Sequence, residues 1–188
     1  QAAIWVGLGG TKRNSELEQI GTTVDCELGK AKYRGVYQME NRPGWGSAKK
    51  LKEQQYPVKP GDQMRAAVSY YKSTDANGKS IGNYDLILRN ETRNWYFRSP
   101  QKGSTKMSAH NTAEWIVEAP TVASADKVLP LTNFKKVKLF DCTTNGKPIS
   151  SWLNRKIELT EPTETLQGNR HKAIPSGLSG NGKEFTVV

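Results

Sequence analysis

The chain predicts an all-β protein built of antiparallel strands, a sandwich or a barrel. Three observations carry that expectation. Short apolar or alternating runs, mostly 4–8 residues long, recur along the whole sequence. They are enriched in β-branched and aromatic residues, and the stretches between them carry turn chemistry.

In chain order the runs are Ile4 to Leu8, Thr22 to Leu28, Tyr33 to Glu40, Gln63 to Tyr71, Tyr84 to Arg89, Trp95 to Arg98, Glu114 to Glu118, Lys135 to Cys142, Lys156 to Thr160 and Glu184 to Val188. Their separators include Gly9-Gly10, Lys59-Pro60-Gly61-Asp62, Asn77-Gly78, Asn145-Gly146 and Ser179-Gly180-Asn181-Gly182, all residues that tolerate or pre-set turn dihedrals. Helical periodicity extends over no more than two turns. Its best candidates are Ser47 to Gln55 and Ile149 to Leu153, so helix is expected to be minor.

A length of 188 residues suits one domain, 1–188, with a continuous core. Mean hydropathy is low at -0.71. Five Trp, seven Tyr and four Phe nevertheless supply enough large anchors for a packed interior, which argues against disorder. The 28 Lys and Arg exceed the 18 Asp and Glu and give a net charge of +10, a surface that attracts anions. In Lys135-Lys136-Val137-Lys138 the interrupting valine marks a strand with one solvated face, a better reading than a nucleic-acid stripe.

Two histidines, His110 and His171, and two cysteines, Cys26 and Cys142, are too few and too far apart for a structural zinc site, so no metal and no cofactor are expected. The cysteines suit equally one long-range disulfide or two small buried side chains. No run of 18 apolar residues is present, so no membrane span is expected. Gln1 leads almost directly into a strand-like run, which suggests a processed terminus.

Among catalytic arrangements, a Ser/His/Asp triad is disfavoured because both histidines lie in polar, loop-like surroundings and no serine sits in a Gly-x-Ser-x-Gly elbow. The segment Ala113-Glu114-Trp115-Ile116-Val117-Glu118 is more informative. As a strand it places Glu114, Ile116 and Glu118 on one face, so two carboxylates line one side of a sheet. Periodicity by itself reads that face as solvated.

Four segments in order and spacing change the weighting: Trp5-Val6-Gly7-Leu8-Gly9-Gly10, then Gln19-Ile20-Gly21, then Tyr33-Arg34-Gly35-Val36-Tyr37-Gln38-Met39-Glu40, then Ala113 to Glu118. Together they resemble the glutamic peptidases of the eqolisin family, with further matches at Tyr56 to Asp62, Leu88 to Thr92, Phe134 to Cys142 and Gly177 to Val188. The resemblance implies a concanavalin-like jelly roll of two curved sheets packed face to face, with a substrate cleft on a concave face. It also implies a catalytic pair. The family glutamine, fourteen residues after the tryptophan of the opening motif, falls on Gln19, and the family glutamate on Glu118, leaving Glu114 non-catalytic.

Those side chains suit peptide hydrolysis, with the carboxylate as base and then acid and the primary amide as oxyanion donor. Trp5, Tyr37 and Gln38 are the expected substrate-binding residues, and the substrates are proteins or peptides. The resemblance implies strands before the Trp-Val-Gly motif, which are either missing here or supplied by a separately cleaved light chain, with processing the favoured reading. The chain departs from the family at Gly9 and Thr23, where members often carry an acid, with Asp25 displaced by two, and at Tyr37 to Asn41. Its pI near 9.6 is also unlike the acidic members. Secretion is expected, and Asn90-Glu91-Thr92 offers a glycosylation acceptor at Asn90. The rival readings are a non-catalytic glycan- or anion-binding sandwich and, last, a nucleic-acid binder.

Overall fold

The computed structural model describes residues 1–10, 16–40, 48–102, 111–119, 121–122, 127–128, 130–157, 159–162 and 169–188. They form an antiparallel β-sandwich protein with two compact units, one spanning Ala3–Ile116 and the other Gln1–Ala2 with Val117–Val188.

The first unit is made by β1 (Ala2–Gly9), β2 (Leu17–Glu27), β3 (Lys30–Glu40), β4 (Lys49–Lys50), β5 (Met64–Thr74), β6 (Ser80–Asn90), β7 (Trp95–Lys102) and the start of β8 (Ala113–Glu118). One sheet has the order β4-β3-β2-β1-β8 and the other β5-β6-β7. Alternation explains how they meet. Tyr84, Leu86 and Leu88 of β6 point the same way and are 0–2% exposed, facing Ile20 of β2 and Met39 of β3 in one cluster completed by Leu51. Burying side chains of this size contributes about 1.5–3 kcal/mol each, the main stabilisation of the unit. Gly35 lies under this contact, since a Cβ there would come within 2.7 Å of Leu51 and 2.9 Å of Leu88.

The turn chemistry acts where expected. Gly61 (φ 85°), Gly78 (φ 78°) and the Asn145-Gly146 pair (φ 51° and 73°) adopt the left-handed dihedrals these residues permit. The β2–β3 hairpin is less predictable: Glu27 pairs with Lys30 across Leu28 and Gly29, at φ 51° and 75°. A leucine there is fully exposed and in a conformation that β-hairpin turns usually give to asparagine.

In the second unit, antiparallel pairs are formed by β9 (Thr121–Val122) with β10 (Lys127–Val128), β11 (Val137–Leu139) with β16 (Phe185–Val187), β12 (Thr143–Thr144) with β13 (Lys147–Pro148), and β14 (Leu159–Pro162) with β15 (Asn169–Ala173). Among the described residues of this unit, Ala2, Ala119, Cys142, Ile149, Ala173 and Val187 are buried, each 6% exposed or less. Lys135, Lys136 and Lys138 are exposed and Val137 is half-buried, the solvated strand face expected of that run.

Several expectations are corrected. The described part of Ser47 to Gln55 is not a helix: Lys49 and Lys50 pair with β3, and only one turn follows, in which the Gln55 and Tyr56 amides both donate to Lys52 O. Ile149 to Leu153 reduces to a single 3-10 turn, Ile149–Ser151. The strand expected from Lys156 begins only at Leu159. Cys26 and Cys142 are both free thiols, so there is no disulfide, and only Cys142 is buried.

Candidate active site

Gln19 sits in β2 between two residues that fix its direction. Ile20 enters the inter-sheet core, so alternation sends Leu17, Gln19, Gly21, Thr23 and Asp25 to the opposite face of the strand. Leu17 anchors that face in a second cluster with Ala3, Trp5 and Ile116. Glu18, the acid next to Gln19 in sequence, is turned the other way with Met39 and is 1% exposed.

Gln38 is the register partner of Gln19 across β2–β3, and the Gln19 Nε2 donates to Gln38 Oε1 at 2.9 Å. This bond fixes the carboxamide and leaves its second N–H and its carbonyl available to another group. The Gln19 Oε1 is shielded from solvent and accepts no hydrogen bond from the described residues. A buried amide oxygen left without a partner costs on the order of 1–3 kcal/mol, so the position favours a ligand that donates to it.

The opening motif has a steric reading. A Cβ at Gly7 would lie 2.9 Å from the Trp5 indole, and one at Gly21 would meet the Ile4 carbonyl oxygen and, at 2.6 Å, the Trp5 Cα. Glycine two residues after Trp5 makes room for the ring; glycine two residues after Gln19 lets β1 approach β2. Gly9 (φ 91°) likewise has no space for a Cβ, which would meet the Glu16 carbonyl oxygen. An acid at position 9 is therefore excluded by this backbone.

In β8, Glu114, Ile116 and Glu118 share one face, as their spacing requires, and all three are half-buried. Ile116 packs with Trp5 and Leu17. Thr112, just ahead of β8, is tied to Gly9 through its amide-acceptor carbonyl at 3.2 Å and its hydroxyl at 3.0 Å.

Three expected site residues behave differently from Gln19 and Gln38. Trp5 is 8% exposed, a packed support for this face rather than a wall open to substrate. Tyr37 belongs to the inter-sheet core, its ring 5.2 Å from Phe97; being adjacent to Gln38, it points to the opposite side of β3 and is not on the Gln19 face. Asn90 is 0% exposed, and its Nδ2, the atom a glycan would occupy, donates to Asp62 Oδ2 at 2.8 Å and Pro57 O at 3.3 Å. The fold thus excludes a glycan at Asn90. His110 lies outside the described residues, as does the side chain of His171.

Sequence reasoning missed the charged cluster further along the same face. Asp25, 5% exposed, accepts from Lys50 Nζ at 2.7 Å, from Arg34 at 3.4 Å and from the Thr23 hydroxyl at 3.4 Å, while Arg34 forks onto Glu27 at 2.6 and 2.7 Å. The Arg34 guanidinium holds the Glu27 carboxyl below the usual carboxylate range. The period-two spacing of Lys30, Lys32 and Arg34 was the available signal.

The antiparallel β-sandwich is the fold of a class of peptidases, and the comparisons with known proteins place the chain among them. Residues 1–165 match the Peptidase A4 family, so the chain belongs to that family and is a peptidase. The resemblance to glutamic peptidases read from the sequence is borne out. Two solved structures share the fold. Aspergilloglutamic peptidase from Aspergillus niger is 21% identical with a TM-score of 0.70, covering 99% of this chain and 96% of its own. Scytalido-glutamic peptidase, solved with a peptide-based transition-state analogue, is 17% identical with a TM-score of 0.63, covering 99% and 81%. A search among curated proteins returns no significant match.

Proposed function

We propose that the protein is an endopeptidase working through a Glu118/Gln19 pair. Glu118, as carboxylate, takes a proton from the water that attacks the scissile carbonyl and returns it to the departing amine. The second N–H of Gln19 donates to the oxyanion of the tetrahedral intermediate, and its carbonyl orients the attacking water. Both products leave with their protons balanced, the water supplying one hydrogen to the amine and its oxygen to the new carboxyl group.

The observation that carries this reading is the Gln19 carboxamide, fixed at one end by Gln38 and otherwise without a partner among the described residues. The β8 alternation supports Glu118 as its counterpart: Glu118 is in phase with Ile116, and Ile116 packs on the side of β2 that also carries Leu17 and Gln19. Proteins or peptides are the substrates. Secretion belongs to the same proposal.

The test is Gln19→Ala assayed on a denatured protein across a pH series. Loss of one oxyanion donor lowers kcat by about 10²–10³-fold with KM little changed. A kcat within threefold of the parent enzyme would remove Gln19 from the chemistry.

A further inference from the structure

The sheet face that presents Gln19 and Gln38 does not end there. Running along β2 and β3, the register partners on that face are Gly21 with Val36, Thr23 with Arg34, Asp25 with Lys32 and Glu27 with Lys30, and Lys50 of β4 lies across from Val36. Four cations thus stand on this strip against Asp25 and Glu27, with Glu53 as a third acid acting on Arg34, so the cations still outnumber the acids. The acids are already engaged, Asp25 by Lys50 and Arg34, Glu27 by Arg34. Lys30 is exposed, Lys32 is half-exposed, and neither forms an ion pair among the described residues. The strip therefore carries an uncompensated positive charge beside a neutral carboxamide site.

We infer that this strip is a specificity-determining subsite for acidic side chains of the peptide substrate, with Lys30 and Lys32 as its free cations and Lys50 and Arg34 held in place by Asp25. The inference rests on the proposed peptidase reading of Gln19. Residues in a strand rise about 3.3 Å each, so Arg34 stands roughly 13 Å, Lys32 roughly 20 Å and Lys30 roughly 26 Å from Gln38 along the sheet. An extended peptide spans the same distances in four to eight residues. The favoured substrates carry Asp or Glu four to eight positions from the scissile bond, on the side that lies over the β2–β3 hairpin. Asp25 acts as a positioning residue: buried and paired with Lys50, it fixes that ammonium while leaving it 48% exposed.

The experiment compares kcat/KM for a neutral reference peptide and for two scans of it, one placing Asp and one placing Lys at each position from eight before to eight after the cut. Asp in the four-to-eight window on one side raises kcat/KM about two- to fivefold per charge, and Lys there lowers it. The preference fades at 0.5 M salt, where screening acts within about 5 Å. In Lys30→Gln/Lys32→Gln the preference disappears, while the neutral peptide and the melting temperature are unchanged. Cleavage of the neutral peptide with no positional preference, or a preference that survives in the double variant, overturns this inference alone. If no peptide is cleaved, the peptidase reading of the site falls and the subsite falls with it.

Discussion

Replacing Asn90 by alanine is the sharpest structural perturbation the fold offers. Asn90 is 0% exposed and makes three bonds at once: its Nδ2 donates to Asp62 Oδ2 at 2.8 Å and to Pro57 O at 3.3 Å, and its Oδ1 accepts from the Arg93 amide at 2.9 Å. The bond to the Asp62 carboxylate is charge-assisted, worth about 1.5–3 kcal/mol, and the orphaned Arg93 amide adds about 1–3 kcal/mol. A total near 3–5 kcal/mol lowers the melting temperature by roughly 6–20 °C in a protein of this size. Thr92→Ala removes the same Asn-x-Thr triplet but only one exposed acceptor, that of the Gln63 amide at 2.8 Å, and shifts melting by about a quarter as much. Thermal denaturation at pH 7 of both variants, with intact mass of protein made in a glycosylating host, decides the matter. Equal small shifts in the two variants, or a glycan on Asn90, would refute the buried-hub account.

Other consequences of the structure are accessible to simple measurements. Burial by itself would push the Asp62 carboxyl up, but hydrogen bonds from Arg93, Asn90 and the Lys59 amide outweigh it and hold the group below its usual range. With the folded value below the unfolded one, the stabilisation is complete above about pH 4 and is lost as pH falls through the folded value. Urea unfolding should show this acid decline flattened in Asp62→Asn; an unchanged slope would exclude Asp62 as its source. Leu28→Asn relieves a left-handed leucine at the β2–β3 turn and raises the melting temperature by about 2–4 °C; a lower melting point would contradict the turn assignment. Thiol labelling at pH 8 should modify Cys26 alone, because burial pushes the Cys142 thiol up to about 12, and a second equivalent reacts only in denaturant.

The fold class was legible because short β-prone runs are separated by turn residues along the whole chain, and alternation is clear where it builds the core, at Tyr84, Leu86 and Leu88 of β6. Strand ends were less legible. β2 begins at Leu17, five residues before the apolar run at Thr22, because Gln19 and Gly21 face away from the core and read as polar or turn residues. The Ser47 to Gln55 segment carries helix-favouring lysines, yet pairing with β3 prevails at Lys49 and Lys50. Gln19 was singled out through the family resemblance, and Gln38, expected separately to bind substrate, is its cross-strand partner. Tyr37 failed for a reason already present in the sequence, since neighbours on one strand cannot line the same face. Asn90 failed because a turn-like triplet says nothing of the Asp62 and Pro57 that enclose it, 28 and 33 residues away.

Steady-state cleavage by Glu118→Gln beside Glu114→Gln is the most direct trial of the account. The two variants remove equivalent charges from the same face of one strand, four residues apart. Loss of at least about 10²-fold in kcat for Glu118→Gln, with Glu114→Gln within a few-fold of the parent enzyme, is the predicted result. Comparable activity in the two variants, or a larger loss at Glu114, would contradict the assignment of the catalytic carboxylate.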